Sequence, residues 1–247
     1  MKRFRELRPG TPLLGLVLYT IARSMSALLC TLLYRHRAYG SRRLPQHGAV
    51  LLVANHQSYL DPPVIGVAVG HRHLDFVARL GLFGGKVLAW LLTQFNSLPI
   101  REQGGDTGAI KEILRRLGDG RAVLIFPEGT RTFDGAMSEF KRGIAVLVKR
   151  SGCPVVPIAI EGCFDAWPRQ RNWPWLFGKR VAVAFGHPIP HDELMKDGAD
   201  AALLRLATET QRLRIMLRRL LRKQTGDRFP PPGPGDSAAV PVAAKKA

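Results

Sequence analysis

Cysteine is scarce in this chain and odd in number: Cys30, Cys153 and Cys163 among 247 residues. Three scattered thiols build no disulfide framework, and a reducing compartment suits them. Cys153 and Cys163, around the apolar run from Val155 to Ile160, read as small packing residues. Acidic residues are also few, 19 against 37 Lys and Arg, and the net charge of +18 implies an anionic partner. Nucleic acid and an acidic membrane surface both qualify. No zinc-finger spacing or nucleic-acid motif is present, and leucine rather than aromatic residues is interleaved with arginine, which favours the membrane and no nucleic acid. There is no Gly-x-Ser-x-Gly elbow, so a covalent serine intermediate is not indicated. Gly104-Gly105-Asp106-Thr107-Gly108 lacks the lysine of a phosphate loop. Internal repeats are absent. What is left is a chain that is 46% apolar and long enough for one domain with its own core.

The chain does have a histidine and an aspartate five residues apart, in Asn55-His56-Gln57-Ser58-Tyr59-Leu60-Asp61. The run follows an apolar segment, Ala49-Val50-Leu51-Leu52-Val53-Ala54, and ends against Pro62-Pro63. On one continuous helix these two residues would face different sides, so the backbone must turn for them to meet. The residue before a proline is pushed out of the helical region, and proline suits the first helical position. Asp61 therefore reads as a helix cap, with the helix beginning at Pro62. His56 is left at a strand's C-terminal end, facing Asp61 across one short loop. An aspartate that orients a histidine makes a general base near neutral pH.

A second motif, Phe126-Pro127-Glu128-Gly129-Thr130-Arg131, follows a second apolar run, Ala122-Val123-Leu124-Ile125. Gly129 lets the backbone turn tightly, and Arg131 can grip a phosphate through two parallel bonds, which lysine cannot. Asn-His-x-x-x-x-Asp followed about seventy residues later by Phe-Pro-Glu-Gly-Thr-Arg resembles the glycerolipid acyltransferases. Within that family the pattern is similar to the 1-acylglycerol-3-phosphate acyltransferases, over about residues 40–190. Leu98-Pro99-Ile100-Arg101 and Val156-Pro157-Ile158-Ala159-Ile160 resemble two further blocks of the family in the same order.

The resemblance implies an enzyme of phospholipid biosynthesis. It would move a fatty acyl group from acyl-CoA or acyl carrier protein to a lysophospholipid hydroxyl, giving phosphatidate from 1-acylglycerol 3-phosphate. His56 is then the catalytic base and Asp61 its orienting partner. Arg101, Glu128, Gly129, Thr130 and Arg131 bind the acceptor, and Glu128 either bonds its glycerol portion or holds Arg131. No metal or bound cofactor is required, and the enzyme would work on the cytoplasmic face of the membrane. The chain departs from the family at Asn96, where glycine is usual, at Pro99-Ile100-Arg101-Glu102, which lacks an Asp-Arg pair, and at Arg79, which replaces a lysine. These departures bear on the acceptor's headgroup. Glycerol 3-phosphate and lyso-ornithine lipid are the other acceptors, and a non-catalytic basic protein binding membrane or nucleic acid is the reading from another class.

Four segments are expected. Residues 1–40 form a basic, apolar, membrane-associating helical segment. Leu13 to Tyr34 has bilayer-spanning length, but Arg23 stands mid-way, where a charge costs roughly 2.5–3.5 kcal/mol. A helix or helical hairpin lying in one leaflet fits better, with a core helix of the domain as the alternative. Residues 41–190 form an α/β domain, a mostly parallel sheet flanked by helices, with strands at 49–54, 74–78, 122–126, 155–160 and 181–185. Its helices start at Pro62, span 86–95, fall at 106–117 with Ile110, Ile113, Leu114 and Leu117 on one face, and run from Ser138 to Arg150. Residues 191–225 form a basic amphipathic helix that either covers the core or lies on anionic lipid. Residues 226–247, rich in Pro, Ala and Gly, read as a disordered tail. His71, His73 and Asp75 read as a surface set rather than metal ligands. Trp167, Trp173 and Trp175 with Arg169 and Arg171 form an aromatic-basic loop, either interfacial or a plain surface insertion.

Overall fold

Every residue from Val50 to Ala54 is buried, because helices cover both faces of the sheet to which it belongs. The computed structural model describes residues 13–79, 97–100 and 107–241. Its strands are β1 (Arg37–Tyr39), β2 (Val50–Ala54), β3 (Leu74–Arg79), β4 (Ser97–Ile100), β5 (Ala122–Ile125), β6 (Val155–Glu161) and β7 (Ala182–Phe185). They form one sheet in the order β1-β7-β6-β2-β5-β3-β4. Neighbours run parallel except β6 and β7, so the sheet is mostly parallel, as the alternation of strands and helices predicts.

The helices are α1 (Leu13–Tyr34), α2 (Asp61–Ala68), α3 (Thr107–Gly118), α4 (Gly143–Ser151), α5 (Cys163–Ala166), α6 (His191–Met195) and α7 (Ala199–Thr225). Alternate strand residues serve opposite faces. Leu52, Leu124 and Ile158 pack with Cys30, Tyr34, Val64 and Ile65 of α1 and α2. Leu51, Val123 and Val155 pack with Ile113, Leu117, Leu147 and Leu206 of α3, α4 and α7.

Arg23 does not stand in α1 as a stray charge. It donates to the carbonyls of Val69 (3.2 Å) and Val67 (3.4 Å) at the end of α2, where a helix gathers partial negative charge. α1 thus lies along the domain, burying Gly15, Leu16, Tyr19, Cys30 and Tyr34. Its other face exposes Leu14, Val17, Ile21, Met25, Leu28 and Leu32. Among the described residues it is the one helix long and apolar enough to cross a bilayer.

Several expectations change. α4 begins at Gly143 rather than Ser138, whose N–H is engaged elsewhere, and Gly152 caps it in the left-handed conformation (φ 59°). α7 covers the core: it packs on β6, β7 and α4, and Arg214 and Arg218 are buried. The segment expected to be disordered is ordered from 226 to 241. The carbonyls of Pro230, Pro231, Gly235 and Ser237 accept from Arg222, Arg218 and Arg214, and Asp236 pairs with Arg218 and Arg222. Prolines lack an N–H but keep their carbonyls, and the arginines of α7 supply the donors. His73 and Asp75 are not a surface set. His73 is buried and stacks on Tyr19 at 3.9 Å, and Asp75 is buried against Arg116 and Arg121. The helix expected at 86–95 and the proposed ligand Arg101 lie outside the described residues.

Candidate active site

β2 ends at Ala54, and the next side chain fastens the strand end. Asn55 donates to the Ile160 carbonyl (3.0 Å) and accepts the Ile160 N–H (2.8 Å), locking β2 to β6 at the sheet's carboxyl edge. His56 follows immediately. The chain turns over Gln57 to Leu60, and α2 starts at Asp61 with prolines next to it. The turn closes on one oxygen. Asp61 Oδ2 accepts from the N–H of Gln57 (2.5 Å), the N–H of Ser58 (2.8 Å) and His56 Nδ1 (2.7 Å). Asp61 is fully buried and the His56 side chain is 18% exposed. With Nδ1 donating to the carboxylate, Nε2 carries the lone pair. The imidazole face stacks on Phe126, centroids 4.1 Å apart, so the ring is fixed from two directions.

Phe126 opens the second motif, just past β5. Glu128 is buried and both of its oxygens meet backbone. Oε1 accepts the His56 N–H and Oε2 the Ser138 N–H, each at 2.6 Å. The Thr132 N–H returns a bond to the His56 carbonyl at 2.9 Å. Burial pushes the Glu128 carboxyl up to about 8, against the pull of those two N–H groups. Glu128 was expected to touch the acceptor or hold Arg131. In the structure it ties the histidine loop to the loop before α4, because a buried carboxylate needs donors and backbone supplies them. Gly129 turns in the left-handed region (φ 69°), and a Cβ there would run into Lys141.

Arg131 lies with its guanidinium 3.5 Å over the Tyr59 ring, a further link between the two motifs. Thr130 and Arg131 are held from a third direction. Arg169 donates to Thr130 Oγ1 (3.3 Å) and to the Arg131 carbonyl (3.1 Å), and stacks on Phe133 at 3.8 Å. The structure thus gathers His56, Asp61, Glu128, Gly129, Thr130 and Arg131 at one edge.

Sequence reasoning gave no part to Asn55, Gln57, Ser138, Arg169 or Glu161. Gln57 donates to Glu161 Oε2 at 3.2 Å, and Glu161 pairs with Arg218 at 2.6 Å and Arg214 at 3.4 Å. Burial raises the Glu161 carboxyl and the two arginines hold it down. Only Glu161 directly after the Val156 to Ile160 block carried a local signal, an acid in an otherwise apolar strand. Cys163 is buried beside Asp61, and burial pushes its thiol well above the usual range, so it offers no thiolate.

This edge sets a carboxylate-held histidine next to an arginine-bearing loop, and comparisons with known proteins narrow the chemistry. The chloroplastic 1-acyl-sn-glycerol-3-phosphate acyltransferase of Brassica napus is 29% identical over 138 residues, 55% of this chain and 40% of that one. A lyso-ornithine lipid O-acyltransferase of Pseudomonas aeruginosa is 32% identical over 120 residues, 48% of this chain and 45% of its own length. The chain therefore spans less than half the length of these two relatives. The crystal structure of the 1-acyl-sn-glycerophosphate acyltransferase of Thermotoga maritima superposes with a TM-score of 0.62 at 25% identity, over 76% of this chain and 78% of that one. The acyltransferase family model matches residues 35–161, just over half of the sequence and the whole span from His56 to Glu161, and the chain belongs to that family.

Proposed function

We propose that this chain is a membrane-associated O-acyltransferase. It moves a fatty acyl group from the thioester of acyl-CoA or acyl carrier protein to the free hydroxyl of 1-acylglycerol 3-phosphate, making phosphatidate. The observation that carries the reading is His56, with Nδ1 held by Asp61 at 2.7 Å and Nε2 left for substrate beside the Arg131 loop. The names of the Brassica napus and Thermotoga maritima proteins support the acceptor.

In the proposed step, Nε2 takes the proton of the acceptor hydroxyl as its oxygen attacks the thioester carbonyl. The tetrahedral intermediate collapses, the C–S bond breaks, and the thiol leaves with the proton returned by the imidazolium. Asp61 holds the tautomer and stabilises the imidazolium. No side chain becomes acylated, which agrees with the absent serine elbow and the buried thiol of Cys163. Arg131 holds the acceptor's phosphate in reach, and Arg101 assists it. The exposed apolar face of α1 rests in one leaflet of the cytoplasmic side, because Arg23 binds the domain and keeps the helix from standing away from it.

A second reading keeps the chemistry and changes the acceptor. The Pseudomonas aeruginosa relative, at 32% identity, favours lyso-ornithine lipid. The experiment is a mass-spectrometric assay of purified protein against both acceptors with acyl-CoA and acyl carrier protein donors. Removing the base in His56→Ala should cost roughly 10²–10⁴ in turnover. Full activity in that variant would sink the mechanism. Arg131→Ala should weaken use of the phosphate acceptor and leave a phosphate-free one unaffected; equal losses on both would sink the assigned role of Arg131.

A further inference from the structure

We propose that the loop between α5 and β7 is a second lipid contact, docking the catalytic edge onto a bilayer that contains anionic lipid. It rests on the reading of His56 as a base for a lipid hydroxyl and names the surface through which that lipid arrives. Trp173, Trp175, Leu176 and Phe177 of this loop are 78%, 48%, 50% and 72% exposed. Four large apolar side chains in so short a stretch are a patch rather than scatter. The loop that carries them is fastened. The Trp175 N–H donates to the Ala166 carbonyl (2.8 Å), Trp167 Nε1 to the Arg171 carbonyl (3.0 Å), and the Arg171 N–H to the Pro168 carbonyl (3.1 Å). Arg171 also donates to the Trp173 carbonyl at 3.3 Å. A polar framework bonded within itself therefore holds the apolar side chains outward.

Charge selects the occupant. No acidic residue occurs from Ala166 to Pro190. Arg171 stacks on Trp175 at 3.9 Å, Lys179 lies 6.0 Å from the same ring, and Arg180 follows. Tryptophan flanked by cations suits the headgroup region of an anionic membrane. Position makes the contact useful. One root of the loop abuts the site: Trp167 meets Tyr59 edge-on at 5.5 Å, its carbonyl takes Ser58 Oγ at 2.8 Å, and Arg169 holds Thr130 and Arg131. The other root meets α1, where the Val181 N–H donates to the Tyr34 carbonyl at 3.1 Å. The loop bridges the edge of the site and the end of the helix whose Leu28, Leu29 and Leu32 are exposed. An acceptor with its acyl chain in the bilayer then reaches Nε2 without crossing water.

The test uses the full chain and vesicles of phosphatidylglycerol with brominated acyl chains. Intrinsic tryptophan emission should be quenched, and most of that quenching should vanish in Trp173→Phe/Trp175→Phe, which keeps the rings but removes the reporters. Quenching unchanged in that variant, or equal with brominated phosphatidylcholine, overturns the proposal. A second arm compares acceptors. Trp173→Ser/Phe177→Ser should lose roughly tenfold in activity on vesicle-borne lysophospholipid and nothing on a water-soluble short-chain acceptor. Equal losses on both place the loop's effect inside the site and overturn docking. Quenching needs no turnover, so a chain that docks but transfers no acyl group defeats the acyltransferase reading alone.

Discussion

One oxygen of Asp61 gathers three donors, and that concentration decides what a substitution does. An asparagine keeps one carbonyl oxygen for these donors but carries no negative charge. The imidazolium of the proposed step then loses its counter-charge. Asp61→Asn should lower kcat roughly 10³–10⁴-fold, with the acceptor's KM close to its original value. It should also cost about 1–3 kcal/mol in urea unfolding, because the charge-assisted bonds from the turn become neutral ones. A variant with normal kcat would mean that Asp61 only shapes the turn. Glu128 gives a pH signature instead. Its folded carboxyl is raised to about 8, above the ordinary value of 4.5, so the folded state holds the proton more tightly. That contribution is complete below pH 4.5 and is lost as pH rises through 8. Stability should therefore decline across that window, while Glu128→Gln should flatten the decline. The glutamine sets an N–H2 against a backbone donor, so at pH 5 it should be the less stable protein by about 1–3 kcal/mol. Thermal midpoints of both proteins from pH 5 to 9 check the sign.

Among the elements, α7 and the segment after it differ most from expectation. Arg214, Arg218 and Arg222 recur every fourth residue, so they form one stripe beside the buried Leu213, Leu217 and Leu221. That spacing was visible, but nothing local says that a proline-rich strap closes over it or that Glu161 of β6 waits beneath. The elements that were legible carry their reason within themselves: the apolar runs of β2 and β5, and the Ile113 and Leu117 face of α3. The site divides the same way. His56, Asp61 and the Glu128 to Arg131 turn are strings of adjacent residues. Asn55 bonding to Ile160 and Arg169 bonding to Thr130 depend on chain returns of about a hundred and about forty residues. The Glu161 cluster supplies the prediction at this scale. Glu161→Leu leaves Arg214 and Arg218 buried without their carboxylate, and should cost roughly 3–5 kcal/mol in urea unfolding. It also removes the acceptor of Gln57, one residue from His56. A loss below about 1 kcal/mol would mean that the strap's carbonyls and Asp236 suffice for both arginines.

At the scale of the whole molecule two forces would bring the chain to a membrane, and they respond differently to salt. The net charge of +18 acts at a distance, drawing the protein to acidic lipid. Its reach shrinks from about 10 Å at 0.1 M salt to about 3 Å at 1 M. The exposed face of α1 acts only on contact, by removing apolar surface from water, and added salt does not weaken it. If both operate, binding to phosphatidylglycerol vesicles should fall as salt rises and then level at a residual set by the helix together with the Trp173 to Phe177 loop. Leu28→Ser/Leu32→Ser should lower that residual and leave the slope against salt unchanged, because it alters no charge. Those leucines are exposed, so the variant should melt where the parent does. Vesicle cosedimentation from 50 mM to 1 M salt separates the terms. A wild-type curve that falls to zero would assign the attachment to charge alone and remove α1 from it; a flat curve would remove the charge.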